Sequence, residues 1–284
     1  MENSIKIKCP AKINLSLDVI NRREDGFHNL KMIMHTVKLF DILSISYKEG
    51  TKSNIELTTD SHIIPANSHN ICAKTALAFL ENSGRCADIK IHIKKNIPVG
   101  AGLGGGSSDA AGTLLALNRL AGNPLSVPTL LSIAESIGAD VPFFLYGGCM
   151  LAEGIGEKLS PLPVLRNAVF LIAKPHYGLA TPKVYKKLNL ESVTQHPDTI
   201  KVVDAVKNGD LLSLGQAAGN VLETAVTDEH PEIEQYKKIM KEHGAIYSLM
   251  SGSGSSVFGV FNSHLKARSA EKELKKLTKQ VYLA

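Results

Sequence analysis

Pro98-Val-Gly-Ala-Gly-Leu-Gly-Gly-Gly-Ser-Ser-Asp-Ala-Ala111 sets five glycines in seven positions, follows them with two hydroxyls and runs into a helix-forming stretch. Glycine lets the backbone take positive φ and approach a ligand closely, so several N–H groups can converge on one anion. A helix expected to begin near Ser107 and to run through Ala110, Ala111, Leu114, Leu115 and Leu117 adds its positive dipole end to the same spot. A flexible linker is the competing reading, but linkers are not set between a strand and an apolar helix. The segment therefore reads as a phosphate loop.

Its type follows from what surrounds it. Gly100, Gly102 and Gly105 satisfy G-x-G-x-x-G, a weak pattern by itself. Upstream, Ile89, Ile91 and Ile93 alternate with Lys90, His92 and Lys94, the mark of a half-solvated strand of the antiparallel kind, whereas a dinucleotide-fold strand is buried on both faces. No acid lies near position 125 to hold a ribose. Gly106 is followed by Ser107 with no lysine, which excludes a Walker A loop.

Three further segments carry chemistry. In Cys9-Pro-Ala-Lys-Ile-Asn-Leu-Ser-Leu17, strand alternation puts Lys12, Asn14 and Ser16 on one face and Ile13, Leu15 and Leu17 on the other. Taken alone, such a polar row is the wet side of a sheet. Ser136-Ile-Gly-Ala-Asp140-Val-Pro-Phe-Phe-Leu145 ends a helix at Gly138 and leaves Asp140 as a lone carboxylate before an apolar run, suited either to catalysis or to capping a helix. Ser251-Gly-Ser-Gly-Ser-Ser256 is a second glycine and serine loop between two apolar strands, and by itself could be a plain hairpin turn.

Taken together, Pro10-Ala-Lys-Ile-Asn-Leu15, Asp25-Gly-Phe-His28, Pro98 to Ala111, Gly138-Ala-Asp-Val-Pro142 and Ser251-Gly-Ser-Gly254 resemble, in order and over most of the chain, the small-molecule kinases of the GHMP superfamily. The glycine loop is common to that superfamily. The Pro-Ala-Lys-Ile-Asn-Leu and Asp-Gly-Phe-His segments are similar to the narrower branch acting on a diphosphocytidyl-methylerythritol substrate in non-mevalonate isoprenoid biosynthesis. The resemblance implies an α+β, two-lobed GHMP kinase fold with the active cleft between the lobes. It implies ATP as phosphoryl donor with Mg2+, and Lys12 and Asp140 as the catalytic pair. It places ATP on Pro98, Val99, Gly100, Ala101, Gly102, Leu103, Gly104, Gly105, Gly106, Ser107 and Ser108, and substrate on Asn14, Phe27, His28 and Tyr185. A cytidine base would stack between Phe27 and Tyr185 with His28 in contact; Phe27 stands where that branch is expected to carry tyrosine, so the ring is kept and a hydroxyl lost. Magnesium ligands are not identified beyond the hydroxyls that Ser107 and Ser108 offer. A GHMP kinase for another small alcohol and a catalytically silent nucleotide-binding homologue stay open at this point.

Composition fits an enzyme. With 284 residues and 44% hydrophobic content the chain can bury one large core or two ordinary ones. The net charge of +5 suits an anionic small-molecule substrate, but the lysines are scattered and aromatics make up only 5%, which argues against a nucleic-acid partner. The basic run from Lys266 to Lys279 reads as the solvated face of an amphipathic helix. Cys9, Cys72, Cys86 and Cys149 form no Cys-x-x-Cys, and the ten histidines no His-x-x-x-His. With no leader or membrane-length apolar run evident, reduced thiols and a cytoplasmic location are expected, while oligomeric state is not legible.

Strands are expected near 4–20, 32–47, 53–58, 88–94, 168–173 and, as a pair, 246–261. Helices are expected near 69–82, 107–117, 128–137, 181–188, 199–207, 210–223, 231–243 and 264–279, with Pro231 and Gly244 bracketing one of them. Glycine and proline cluster between 147 and 167, so an N-terminal ATP-binding domain over 1–157 and a C-terminal domain over 158–284 are expected.

Overall fold

The computed structural model describes residues 3–284. Two long strands, β1 (Asn3–Arg22) and β2 (His28–Glu49), pair with each other and are joined by a turn closed by the Arg23 N–H on the Phe27 carbonyl at 2.8 Å. Both strands contribute residues to each of two compact units. One unit holds the N-terminal residues through Ala11, Lys38–Val99 and Gly104–Tyr146; the other holds Lys12–Val37, Gly100–Leu103 and Gly147–Ala284.

In the first unit the second half of β2 runs antiparallel to β4 (Ala87–Lys94), from Ile42 against Lys94 to Glu49 against Ala87. On its other side β4 pairs in parallel with β3 (Asn54–Thr59), reached through α1 (Ile71–Ser83). The expected alternation is there: Ala87, Ile89, Ile91 and Ile93 are buried, while Lys90, His92 and Lys94 are exposed. The pairing is mixed rather than purely antiparallel, because α1 supplies a crossover long enough to return β4 parallel to β3. Asn70 starts α1 by accepting the Cys72 N–H, and Gly84 ends it in the left-handed region. Of three more helices, α2 (Gly105–Leu120) and α3 (Val127–Ile137) pack on α1, and α4 (Val141–Tyr146) packs on α2 and α3. The short α4 is a helix that periodicity does not reveal, since six residues are too few to show a repeat.

In the second unit the first half of β2 pairs antiparallel with β5 (Cys149–Gly154), which pairs with β6 (Lys158–Leu162). A separate four-stranded antiparallel sheet also contains β7 (Val169–Lys174). Ahead of its remaining strands come α5 (Thr181–Lys187), α6 (Thr199–Asn208), α7 (Leu211–Ala217) and α8 (Pro231–Glu242). Then follow β8 (Tyr247–Met250), β9 (Val257–Phe261), α9 (His264–Leu274) and β10 (Gln280–Leu283), giving the order β10-β7-β9-β8. Every residue of β7 and β9 is buried, with α8 and α9 packed on the sheet.

Two expected helices change here. The stretch 210–223 breaks after Ala217 into a 3-10 turn over Val221–Ala225, because Gly219 and Asn220 are taken by β1: the Leu17 N–H reaches the Gly219 carbonyl at 2.8 Å and Leu17 bridges Asn220. The terminal helix stops at Leu274, and Gln280–Leu283 leave it to extend the sheet beside β7. A four-residue strand carries little pattern of its own, so its partner decides its conformation.

Candidate active site

In the second unit the polar row of β1 is buried, not wet. Lys12 is 5% exposed and Asn14 fully enclosed, with Ser16 and Asp18 buried after them. Burying an ammonium is costly unless it is hydrogen-bonded. Lys12 Nζ donates to Asn14 Oδ1 at 2.6 Å, and the Asn14 amide turns its nitrogen to Met32 Sδ at 3.2 Å. The wet-face reading of Lys12 is therefore corrected: its surroundings are a built polar site, and the strand's alternation could not reveal what covers that face.

What covers it is glycine. The Lys12 N–H donates to the Leu103 carbonyl at 2.9 Å, tying β1 to the middle of the first glycine loop. Gly102 has φ +72°, and a Cβ there would overlap the Ser251 carbonyl oxygen, so glycine is required for the first loop to meet the second. Ser251 Oγ donates to the Gly102 carbonyl at 3.0 Å and the Ser256 N–H to that of Ala101 at 3.2 Å. A Cβ on Gly252 would lie 3.2 Å from Asn14 Oδ1 and 3.4 Å from Lys12 Nζ. The Ser251–Ser256 loop is thus the neighbour of Lys12 rather than an idle hairpin turn.

Asn220 holds that loop, a role that spacing in the sequence did not disclose. Its Nδ2 donates to the carbonyls of Met250 and Gly252, both at 2.8 Å, and its Oδ1 caps the 3-10 turn by accepting the Leu222 N–H at 3.0 Å. Both N–H groups of the amide and one lone pair of its oxygen are used in place.

Also in this unit, the rings of His28 and Tyr185 lie with centroids 5.2 Å apart and planes tilted by 32°, while Phe27 is 59% exposed. Burial, with Arg22 adding a like charge, lowers the His28 pKa from its ordinary value, which favours the neutral ring. Thr181, at the start of α5, shares a 2.8 Å hydrogen bond with Ser253.

The first unit carries the remaining residues. Pro98 and Val99 lead towards the loop, and α2 begins at Gly105, two residues before the expected Ser107, because Gly104 takes the N-cap position with φ +69° and ψ 17°. No side chain caps α2, so its leading N–H groups remain available to an anion. Gly106 and Ser107 fall in that first turn. Ser108 is buried and its Oγ has no protein partner, as a hydroxyl reserved for a ligand would be. Asp140 stands half-buried in the turn that leads into α4, where the Val141 N–H donates to the Gly138 carbonyl at 3.0 Å. Among the described residues no three or more His, Cys, Asp or Glu side chains gather as a metal-binding group, and no helix is long and apolar enough to cross a membrane. Cys9, Cys72 and Cys149 are buried free thiols and Cys86 an exposed one.

The chain matches the model of the GHMP kinases N terminal domain over residues 70–148 and that of the GHMP kinases C terminal region over 202–280. It is 42% identical over 279 residues to the 4-diphosphocytidyl-2-C-methyl-D-erythritol kinase of Alkaliphilus metalliredigens, covering 98% of this chain and 95% of that one. Its identity to the enzyme of the same name from Clostridium kluyveri is 40% over 277 residues, 98% of each chain. A crystal structure of 4-(cytidine 5'-diphospho)-2C-methyl-D-erythritol kinase superposes with a TM-score of 0.82 at 33% identity, covering 98% of both chains. Homoserine kinase from Cytophaga hutchinsonii, at 24% identity and a TM-score of 0.78 over 99% of this chain and 94% of its own, shares the fold. The chain belongs to the GHMP kinases, in the family of the 4-diphosphocytidyl-2-C-methyl-D-erythritol kinases.

Proposed function

We propose that this chain transfers the terminal phosphoryl group of ATP to the 2-hydroxyl of 4-diphosphocytidyl-2-C-methyl-D-erythritol, the substrate for which its relatives are named, in non-mevalonate isoprenoid precursor biosynthesis. The observation that carries this reading is the buried Lys12–Asn14 pair with Gly252 set against it. A buried ammonium oriented by a hydrogen bond to a neutral amide is a preorganised positive charge for a phosphoryl oxygen.

Phosphoryl transfer asks the protein mainly to position reactants and stabilise charge. The bond from the substrate oxygen to phosphorus forms as the bond from phosphorus to the departing ADP oxygen breaks, and the hydroxyl proton passes to Asp140. Because the transition state is loose, orienting the hydroxyl matters as much as removing its proton. Lys12 stabilises the transferring phosphoryl group. Pro98 to Ser108 cradle the triphosphate, and Ser108 Oγ, without a protein partner, fits either a phosphate or Mg2+, which supplies charge neutralisation when bound. Asn14 orients the acceptor, and Phe27, His28 and Tyr185 take the cytidine base. We assign residues 1–157 and 158–284 to the N- and C-terminal domains of the family.

Turnover of ATP against a panel of alcohols, each with and without a cytidine diphosphate group, tests the proposal. Activity confined to the cytidylyl polyol is expected. Equal activity on an alcohol without cytidine points to another GHMP specificity, and no turnover with intact ATP binding points to a silent homologue.

A further inference from the structure

Outside the residues so far assigned, the first unit contains a charged cluster inside its core. Asp41 of β2 has no exposed surface, and Lys95, just past β4, and Asp109 of α2 have nearly none. Lys95 Nζ bonds Asp41 Oδ2 and, at 2.8 Å, Asp109 Oδ2. The other Asp41 oxygen accepts the backbone N–H groups of Asn96 at 2.6 Å and Ile97 at 2.8 Å. Lys95 N–H is itself held by Asp60 at 2.9 Å, and Asn96 Nδ2 by the Phe40 carbonyl at 2.8 Å. The three backbone N–H groups of residues 95–97, the Lys95 ammonium and the Asn96 amide nitrogen are all held within the unit.

The same residues seat the helix that follows the glycine loop. A Cβ on Gly105 would lie 3.0 Å from Ile97 Cγ2 and 3.3 Å from Lys95 Nζ, so the first residue of α2 rests on the segment that leads into the loop. Asp109, one turn on, is joined to that segment through Lys95. Both ends of the loop are thereby fixed to one another and to β2 through a single ammonium between two carboxylates.

Stability alone is a poor account of this arrangement. Two carboxylates and one ammonium are desolvated together, and replacing such a buried cluster with apolar side chains is often neutral or stabilising. Burial pushes the Asp109 carboxyl up to about 7 against the pull of Lys95, and its Oδ1 is buried without a partner, so the cluster is held at a cost. What it supplies is register: a loop whose ends are fixed has less freedom to lose when a ligand orders it.

We propose that Asp41, Lys95 and Asp109 are positioning residues for nucleotide binding, fixing the entry and exit of the glycine loop so that ATP affinity depends on Asp41, a side chain too deeply buried to touch ATP. The proposal rests on the reading of Pro98 to Ser108 as the ATP loop, and Gly104→Ala separates the two.

The experiment measures the affinity of a non-hydrolysable ATP analogue by calorimetry, the KM of the cytidylyl substrate and the melting temperature. Asp41→Asn is expected to weaken the analogue by about tenfold or more, the scale of one lost charge-assisted bond, while the substrate KM moves far less. The triple variant Asp41→Leu, Lys95→Met, Asp109→Leu is expected to recover the melting temperature without recovering nucleotide affinity, which a purely structural cluster would not do. Asp109→Asn, which keeps an acceptor for Lys95, is expected to lose less affinity than Asp109→Leu, and this pair decides if the other variants do not fold. Unchanged analogue affinity in folded Asp41→Asn, or equal losses in Asp109→Asn and Asp109→Leu, overturns the proposal. If Gly104→Ala also leaves the analogue bound as before, the ATP-loop reading falls with it; if Gly104→Ala weakens binding and Asp41→Asn does not, only the positioning role falls.

Discussion

The two glycine-rich segments of this chain are secured by opposite chemistry. Residues on either side of the first are tied by a buried ion cluster, Asp41 and Asp109 about Lys95. The second, Ser251–Ser256, is tied by neutral groups: the Asn220 amide, whose two N–H bonds reach main-chain carbonyls, and the hydroxyls of Ser251, Ser255 and Thr181. A neutral amide answers only to geometry. An ion cluster answers also to protons and to desolvation, so the first anchor is the sensitive one. The amide bonds by which Asn220 holds the segment beside Lys12 do not titrate.

The most disruptive way to break this pairing of loops is Gly102→Ala. A Cβ would overlap the Ser251 carbonyl at a positive φ, adding backbone strain to overpacking, and a stability loss of about 4 kcal/mol is expected from chemical denaturation. A variant as stable as the parent would show that the loops do not depend on that contact. Next in size, Lys12→Met and Asp140→Asn each should lower kcat by roughly 10²-fold or more with ATP affinity little changed, the usual scale of acid–base and charge-stabilising groups. If the two act as one unit, the double variant falls little below either single one; a loss equal to their product would make them independent.

Asn220→Asp is the sharper test of the neutral anchor, because it keeps the shape and the cap on Leu222 while turning an oxygen towards two carbonyls. A loss of about 2 kcal/mol in stability is expected, together with a fall in kcat that a remote variant of equal stability does not show. The smallest expected effect concerns the charged anchor. The Asp109 pKa is raised from 3.8 to about 7, mainly by burial, so the folded state holds its proton more tightly than the unfolded chain does. Its contribution is fully present below the ordinary carboxyl value and is lost as pH rises through about 7, with a slope of at most ~1.4 kcal/mol per pH unit. Melting curves from acid to neutral pH should therefore decline less steeply in Asp109→Asn than in the parent, and parallel curves would remove Asp109 from the account.

Much of this was written locally. The glycine loop, the alternation of Ile89, Ile91 and Ile93, the helix expected near 69–82 and the Pro231 start of α8 are short-range features, and the structure keeps each of them. The segments that pointed to a kinase also lay in the open, since catalysis constrains residue types within a few positions. The burial of Lys12 was not legible, because the covering loop arrives from more than two hundred residues away and alternation names a face without naming its neighbour. The same holds for Asp41 with Lys95, separated by 54 positions, and for Asn220 with Met250, separated by 30.

By itself the sequence determined the glycine-rich loop, the order of the family's segments and the kind of chemistry, because backbone freedom at glycine and periodic burial act over a few residues. Only the tertiary structure decided that β1 buries its polar row, that the helix expected over 210–223 yields to β1 at Gly219, and that Gln280–Leu283 become a strand. Desolvation and strand pairing are properties of the partner as much as of the segment, and the partner is chosen by the fold.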